Sequence, residues 1–383
     1  MVTREPGTED RRVPAHRRVA AALRAEIEGG VFVPGTQLPA EPDLALQFGV
    51  SRGTLRQALL SLRADRLIDA VPGRGNFVSR GLPARADRRR RVIGVVVPSV
   101  AQPYVADLLG WIEEELHGGG YSMLVGSGGS TRQQQAGRIH RILEEGASGL
   151  IVYPIDYDPD PQLFEHLLER EFPVVLIDRH LVGLAVDTVE PDNVGGSYAA
   201  VRHLIELGHR RICFVSTDNL RTTSVADRLR GYEEALISAG LPVDRELIFS
   251  ELPVSRRWPI EAADGRRREV AAVARFLERR RPTAVFTLHD YLAADVLAAA
   301  AILGLAVPRD LAVASFDDDP AAARLAVPLT AVAQPREQLG RTCARLVIER
   351  IEGRRRETAR IVLPTQLIVR QSTSPGMAAA VAS

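Results

Sequence analysis

Hydrophobic positions along this chain of 383 residues fall into two textures. Between residues 10 and 80 they recur at helical spacing and then give way to a short hairpin pattern. Val19, Leu23 and Ile27 repeat every fourth residue after Pro14, and Gly29-Gly30 ends the repeat, which predicts a first helix. Glu41 to Phe48 predicts a second, short helix, with Pro42 in its first turn, Leu44 and Phe48 on one side and Gly49 as its stop. Val50 to Arg63 predicts a third helix capped by Ser51. Leu55, Ala58, Leu59 and Leu62 line one side of it, and Arg52 and Arg56 share an exposed stripe. Two helices joined by so tight a turn form a helix-turn-helix, whose second member enters the major groove of DNA. The next run, L-I-D-A-V-P-G-R-G-N-F-V, predicts a hairpin with a cation at its tip and completes a winged helix.

From Val92 the texture changes. Seven apolar runs (R-V-I-G-V-V-V, Y-S-M-L-V-G, G-L-I-V-Y, P-V-V-L-I-D, R-I-C-F-V-S, T-A-V-F-T-L and L-A-V-A-S-F-D) alternate with helical stretches. Such alternation argues for an α/β architecture of parallel sheets covered on both faces. Seven or more strands over about 280 residues suit two sheets with a cleft between them better than one. Parallel sheets bind ligands at the carboxyl ends of their strands, and acids stand at that edge: Asp178 beside Arg179, Asp317 beside Asp318, and Asp290 after His289. A single strand-end acid is more often a helix cap; several converging on one edge favour a polar ligand site. Residues 81 to 91 have no apolar periodicity and end in four arginines, reading as a basic connector.

The net charge of +1 hides a division. Residues 1 to 91 carry 17 Arg against 10 acids, or +7, and the remainder carries 32 against 38, or −6. The basic end is the candidate for a polyanion, and the arginine fork suits guanine edges and phosphates. The chain contains no lysine. This removes pyridoxal-phosphate Schiff bases, phosphate-loop ATPases and kinases of the usual kind, and it leaves the Gly-rich G-S-G-G-S-T-R as a loop. The histidines match no H-E-x-x-H spacing and no G-x-S-x-G elbow occurs; His289 beside Asp290 is the nearest approach to a dyad. Neither an enzymatic role, a cofactor nor a metal is expected. Cys213 and Cys343 read as buried free thiols. No apolar run reaches a membrane span and the N-terminus lacks a signal-peptide core, so a cytoplasmic protein is expected.

The motifs also carry two resemblances. L-P-A-E, F-G-V-S-R-G-T-L-R-Q-A-L and G-R-G-N-F-V, in that order, resemble the winged helix-turn-helix of the GntR family of bacterial regulators. By that resemblance Ser51, Arg52, Thr54 and Arg56 would face double-stranded operator DNA, with Gly73 and Arg74 of the wing at the minor groove. Ala40 stands where the family often has a capping Ser, and Pro42 and Gly53 replace side chains that contact DNA in some members.

From Val92 to Ser374, V-V-L-I-D-R, D-N-V-G-G-S-Y-A-A-V-R-H-L-I-E-L-G-H-R-R-I, D-R-L-R-G-Y-E-E-A-L, P-L-T-A-V-A-Q-P and L-P-T-Q-L-I-V-R-Q-S-T resemble the two-lobed, periplasmic-binding-protein-like effector domain of LacI/GalR repressors. That resemblance implies a ligand between the lobes, held by Gln102, Tyr104, Arg179, Arg228, Asp290 and Asp317. Trp258 is a further ring candidate for sugar stacking, with core packing or a surface loop as the competing readings. The expected domains are therefore 10–80 for DNA, 81–91 as linker and 92–374 for effector binding and dimerisation. The combination is similar to arabinose-responsive repressors of hybrid type and implies a homodimeric repressor answering to a small molecule for which a sugar is favoured. A sugar-binding transport component is the competing reading.

Overall fold

Leu23, Leu44, Leu55, Leu59 and Leu62 are almost fully buried and close a small core among three helices, α1 (Ala15–Glu28), α2 (Glu41–Gln47) and α3 (Arg52–Ala64). The computed structural model describes residues 14–28, 31–33, 35–64, 67–71, 74–79, 91–129, 131–155, 161–252 and 263–374. The chain divides into two compact units, Met1–Arg90 and Arg91–Ser383. In the first, Gly49 turns the chain at φ 61°, and Ser51 Oγ accepts the Thr54 amide at 3.1 Å, so the expected stop and cap lie where α2 meets α3. Ala40 caps α2 without any side-chain bond. The wing is an antiparallel pair, β1 (Ile68–Val71) and β2 (Gly75–Val78), with Ile68 opposite Val78. Residues 81–90 of the expected linker, 81–91, lie outside the described residues, as do Gly73 and Trp258.

The second unit holds two six-stranded sheets. In chain order its elements begin with β3 (Val92–Val97), α4 (Pro103–Gly118), β4 (Ser122–Ser127), α5 (Arg132–Glu144), β5 (Gly149–Val152), α6 (Pro161–Glu169), β6 (Val174–Ile177) and β7 (Asp187–Pro191). There follow α7 (Asn193–Glu206), β8 (Ile212–Thr217), α8 (Thr223–Ser238), β9 (Ile248–Leu252), α9 (Ala263–Arg280), β10 (Ala284–Thr287), α10 (Asp290–Ile302) and β11 (Ala312–Asp317). The last are β12 (Thr330–Ala333), α11 (Arg336–Ile351), β13 (Arg360–Leu363) and β14 (Gln366–Ile368). The first sheet runs β13-β7-β6-β5-β3-β4, all parallel; the second runs β14-β12-β11-β10-β8-β9, parallel except for β14. The fold is thus the two-lobed α/β arrangement expected from the alternating texture.

Five strands beyond the seven apolar runs complete these sheets. The least legible is β7, D-T-V-E-P, whose Asp187 and Glu190 are buried because Arg350 and Arg360 pair with them at 2.6 and 2.5 Å. The chain passes between lobes three times: after β7, after β12, and between β13 and β14. Consequently α11, although it follows a strand of the second lobe, packs on α4 and on β5, β6 and β7 of the first. Cys213 and Cys343 are buried and free, and burial pushes the Cys213 thiol up to about 12, so it stays protonated and unreactive. Among the described residues no helix is long and apolar enough to cross a membrane.

Candidate functional site

The carboxyl ends of the two sheets face one another across a cavity of about 190 Å³. β6 delivers Asp178 and β11 delivers Asp317, each at positive φ (75° and 100°), a conformation that non-glycine residues occupy at a cost and that clusters at binding sites. From the first lobe come Gln102 and Tyr104 at the start of α4, Tyr153 just past β5, and Asp178-Arg179. From the second come Arg228 of α8, His289 and Tyr291 beside the start of α10, and Asp317.

Bonds hold this wall in place. Tyr104 Oη lies 2.8 Å from Asp178 Oδ1 and 2.9 Å from Gln334 Oε1, so its one hydrogen serves either acceptor. Arg179 Nε and Nη2 each donate to Asp178 Oδ2 at 3.2 Å, Nη2 also to Tyr153 Oη at 3.0 Å, and the guanidinium stands 4.7 Å from that ring's centre. Arg228 donates from Nε to Asn193 Oδ1 (2.9 Å) and from Nη1 to Leu288 O (2.6 Å), with Asp317 Oδ1 3.2 Å from Nη1 and the Phe316 ring 3.8 Å away. A Cβ at Gly231 would lie 2.3 Å from Val194 O; glycine there lets α8 press onto α7 and carries Arg228 to Asn193.

The same bonds tie the lobes together. Gln334, where the chain crosses from β12 to α11, donates to Asp317 Oδ1 at 2.6 Å. Arg336 reaches Asp107 of α4 with one nitrogen and the backbone oxygens of Asp317 and Asp318 with the other. Thr223 Oγ1, at the start of α8, also donates across the lobes to His180 O at 2.9 Å.

Burial dominates the electrostatics. It pushes the Asp178 carboxyl up to about 6, with Arg228 partly opposing, and raises the Tyr104 phenol well above its usual range. It pushes His289 down to about 4, so the ring is neutral, and its Nδ1 accepts the Leu292 amide at 3.3 Å as the cap of α10.

Five of the six residues expected in the cleft, Gln102, Tyr104, Arg179, Arg228 and Asp317, line this cavity. Asp290 does not. Its carboxylate turns away, accepting the Ser315 hydroxyl and, at 2.6 Å, the Asp319 amide, and burial followed by the charge of Asp317 pushes it up to about 7. As the first residue of α10 it anchors the turn after β11, while its neighbours His289 and Tyr291 face the cavity. The His289-Asp290 pair is therefore a cap and an anchor, with no contact that would make it a dyad. Sequence reasoning missed Tyr153, Gln334, Glu269 and Asp295. The strand-end rule that found Asp178 applies equally to Tyr153 and Gln334; Glu269 and Asp295 sit on helices and carry no such signal.

In the first unit Ser51, Arg52 and Arg56 are exposed at the start of α3, with Thr54 partly so, and Arg74 is exposed at the wing tip. Arg56 Nε pairs with Glu41 at 2.9 Å, but its side chain is 69% exposed, so the pair is weak and Arg56 can be drawn to another anion. Ser51 Oγ and Thr54 Oγ1 lie 2.9 Å apart.

Comparison with known proteins agrees with both units. The model of bacterial regulatory proteins of the gntR family matches residues 15–78, and that of a periplasmic binding protein-like domain matches residues 201–373. The arabinose metabolism transcriptional repressor of Geobacillus stearothermophilus is 31% identical over 95% of this chain and 99% of its own length. The HTH-type transcriptional regulator DegA of Bacillus subtilis is 32% identical over 76% of this chain and 83% of its own. Among solved structures, a transcriptional regulator CelR–cellobiose complex is similar with a TM-score of 0.64 and 27% identity, covering 88% of this chain and all of that one. The chain thus belongs to the bacterial regulators that join a gntR-type winged-helix DNA-binding domain to a LacI/GalR-like, periplasmic-binding-protein-like effector domain, and it is a ligand-responsive DNA-binding transcriptional regulator.

Proposed function

We propose that this protein is a cytoplasmic repressor, not an enzyme, whose hold on operator DNA changes when a sugar binds between the lobes of the second unit. The observation that carries the reading is the cavity's chemistry: guanidinium groups and carboxylates able to donate to and accept from paired hydroxyls, beside tyrosine rings that can lie against the apolar face of a sugar. The repressor similar over 95% of the chain is named for arabinose metabolism, and the similar CelR structure is a cellobiose complex; both support a sugar.

In this reading Gln102, Tyr104, Arg179, Arg228 and Asp317 contact the effector, and Ser51, Arg52, Thr54, Arg56, Gly73 and Arg74 contact DNA. Two copies pair through their effector domains and set two α3 helices on the half-sites of a near-palindromic operator. Ligand closes the lobes across the Tyr104–Gln334 and Arg336 connections and alters the spacing of the heads. Its leverage on DNA is limited to its preference between the two geometries, typically about 1–3 kcal/mol. His289 caps a helix, and Asp178 and Asp317 sit in ion pairs, an arrangement suited to holding a ligand rather than transforming it.

A thermal-shift screen over pentoses, hexoses and disaccharides, followed by operator-binding titrations with any hit, tests this. A sugar should raise the melting temperature and change operator affinity; sugars that do neither, or a sugar that is turned over, would refute it.

A further inference from the structure

The two arginines of the cavity wall are already neutralised. Arg179 is held by Asp178 through both Nε and Nη2, and Arg228 is held by Asp317 at 3.2 Å. Each guanidinium also lies against a ring, Tyr153 and Phe316 respectively. An anionic group entering the cavity would have to compete with carboxylates that are already seated.

The side of the cavity formed by α9 and α10 adds more negative charge. Glu269 and Asp295 both line it, and Arg266, 3.1 Å from Asp295, is the counter-ion placed there. Burial first, and then the charge of Asp295, pushes the Glu269 carboxyl up, a sign that the two acids feel one another. Neutral His289 adds no cation. Among the described residues, then, four carboxylates (Asp178, Asp317, Glu269 and Asp295) and two guanidinium groups (Arg179 and Arg228) line the cavity; Arg266 stands behind Asp295 as its counter-ion, and Arg336, beside Tyr104, is paired with Asp107. In a partly enclosed site such an excess of like charge disfavours an anion.

We propose that the effector carries no negative charge, and that Glu269 and Asp295 exclude phosphorylated and acidic sugars from the cavity. This inference rests on the reading that the cavity binds a sugar. It narrows the effector to neutral sugars, with amino sugars also admitted because an ammonium would be attracted to the α9–α10 side.

The test uses the full chain and matched probes read by isothermal titration. The neutral set is arabinose, ribose, glucose, galactose and cellobiose. The charged set is arabinose 5-phosphate, ribose 5-phosphate, glucose 6-phosphate, glucuronate, galacturonate and glucosamine. The expected result is a neutral or amino sugar that binds while its phosphorylated or acidic counterpart binds at least about tenfold more weakly. Glu269 is partly exposed, so Glu269→Gln should fold, and it should narrow that ratio at least about threefold. A phosphate or uronate binding tighter than its neutral partner overturns the charge inference while leaving the sugar reading intact. An unchanged ratio in Glu269→Gln overturns the role given to Glu269. Binding by none of the probes overturns the sugar reading itself, and the inference with it.

Discussion

Arg228 is the side chain on which the cavity's second-lobe wall depends, and replacing it by Met removes the guanidinium while keeping the stem. Two neutral acceptors, Asn193 Oδ1 and Leu288 O, lose their donor, at about 1 kcal/mol each. Breaking the pair with Asp317 would cost about 3–5 kcal/mol in a sealed interior. Asp317 keeps the Gln334 amide at 2.6 Å and faces a cavity that admits water, so about 1–2 kcal/mol is the appropriate figure. Lost contact with the Phe316 ring adds about 0.5–1 kcal/mol. The total, about 3.5–5 kcal/mol, corresponds to a fall of roughly 7–15 °C in the melting transition of the larger unit, taking about 2–3 °C per kcal/mol for its size. Arg228→Lys restores the charge but only part of the fork, so it should lose about half as much. Differential scanning calorimetry of the full chain measures both, alongside operator binding with and without ligand. Arg228→Met should still bind operator yet give no ligand response. A fall of less than about 2 °C, or a normal response, would refute the bonding derived for Arg228.

Arg52→Ala or Arg56→Ala should weaken operator binding by about 1–3 kcal/mol in anisotropy titrations and leave ligand binding unchanged; unaltered DNA affinity would remove α3 from the DNA interface. Ala40→Ser supplies the side-chain cap that α2 lacks and should stabilise the small unit by about 0.5–1 kcal/mol in urea unfolding. Asp290 is raised to about 7 from an ordinary 3.8, so between those values the folded chain keeps a proton that the unfolded chain has lost, and stability falls as pH rises through the window. Asp178, raised to about 6, acts in the same sense; His289, lowered to about 4 from 6.5, acts in the opposite one. Asp290→Asn removes one falling component, so the stability lost between pH 5 and 7 should shrink by about 1–2 kcal/mol; equal losses in both proteins would contradict the burial of an ionisable Asp290.

Much of this was legible in one dimension because helix periodicity, caps and apolar strands are local properties. Leu55, Ala58, Leu59 and Leu62 form the buried face of α3 because they lie three or four residues apart, whatever surrounds them. The strand-end acids Asp178 and Asp317 were found because β6 and β11 are continuous apolar runs with visible ends. Asp290 was misplaced for an equally local reason. Successive residues at a helix start point in different directions, so His289 and Tyr291 reach the cavity and the acid between them does not.

The sequence by itself determined the winged helix, the alternation that makes two parallel sheets, and the concentration of positive charge at one end. Each follows from spacing between near neighbours or from composition. The tertiary structure alone decided that D-T-V-E-P is a buried strand, because its acids are met there by Arg350 and Arg360, 163 and 170 residues on. It also decided the charge of the cavity. Glu269, Asp295 and the ion pairs of Arg179 and Arg228 meet there through separate helices and both lobes, and no spacing along the chain encodes that convergence.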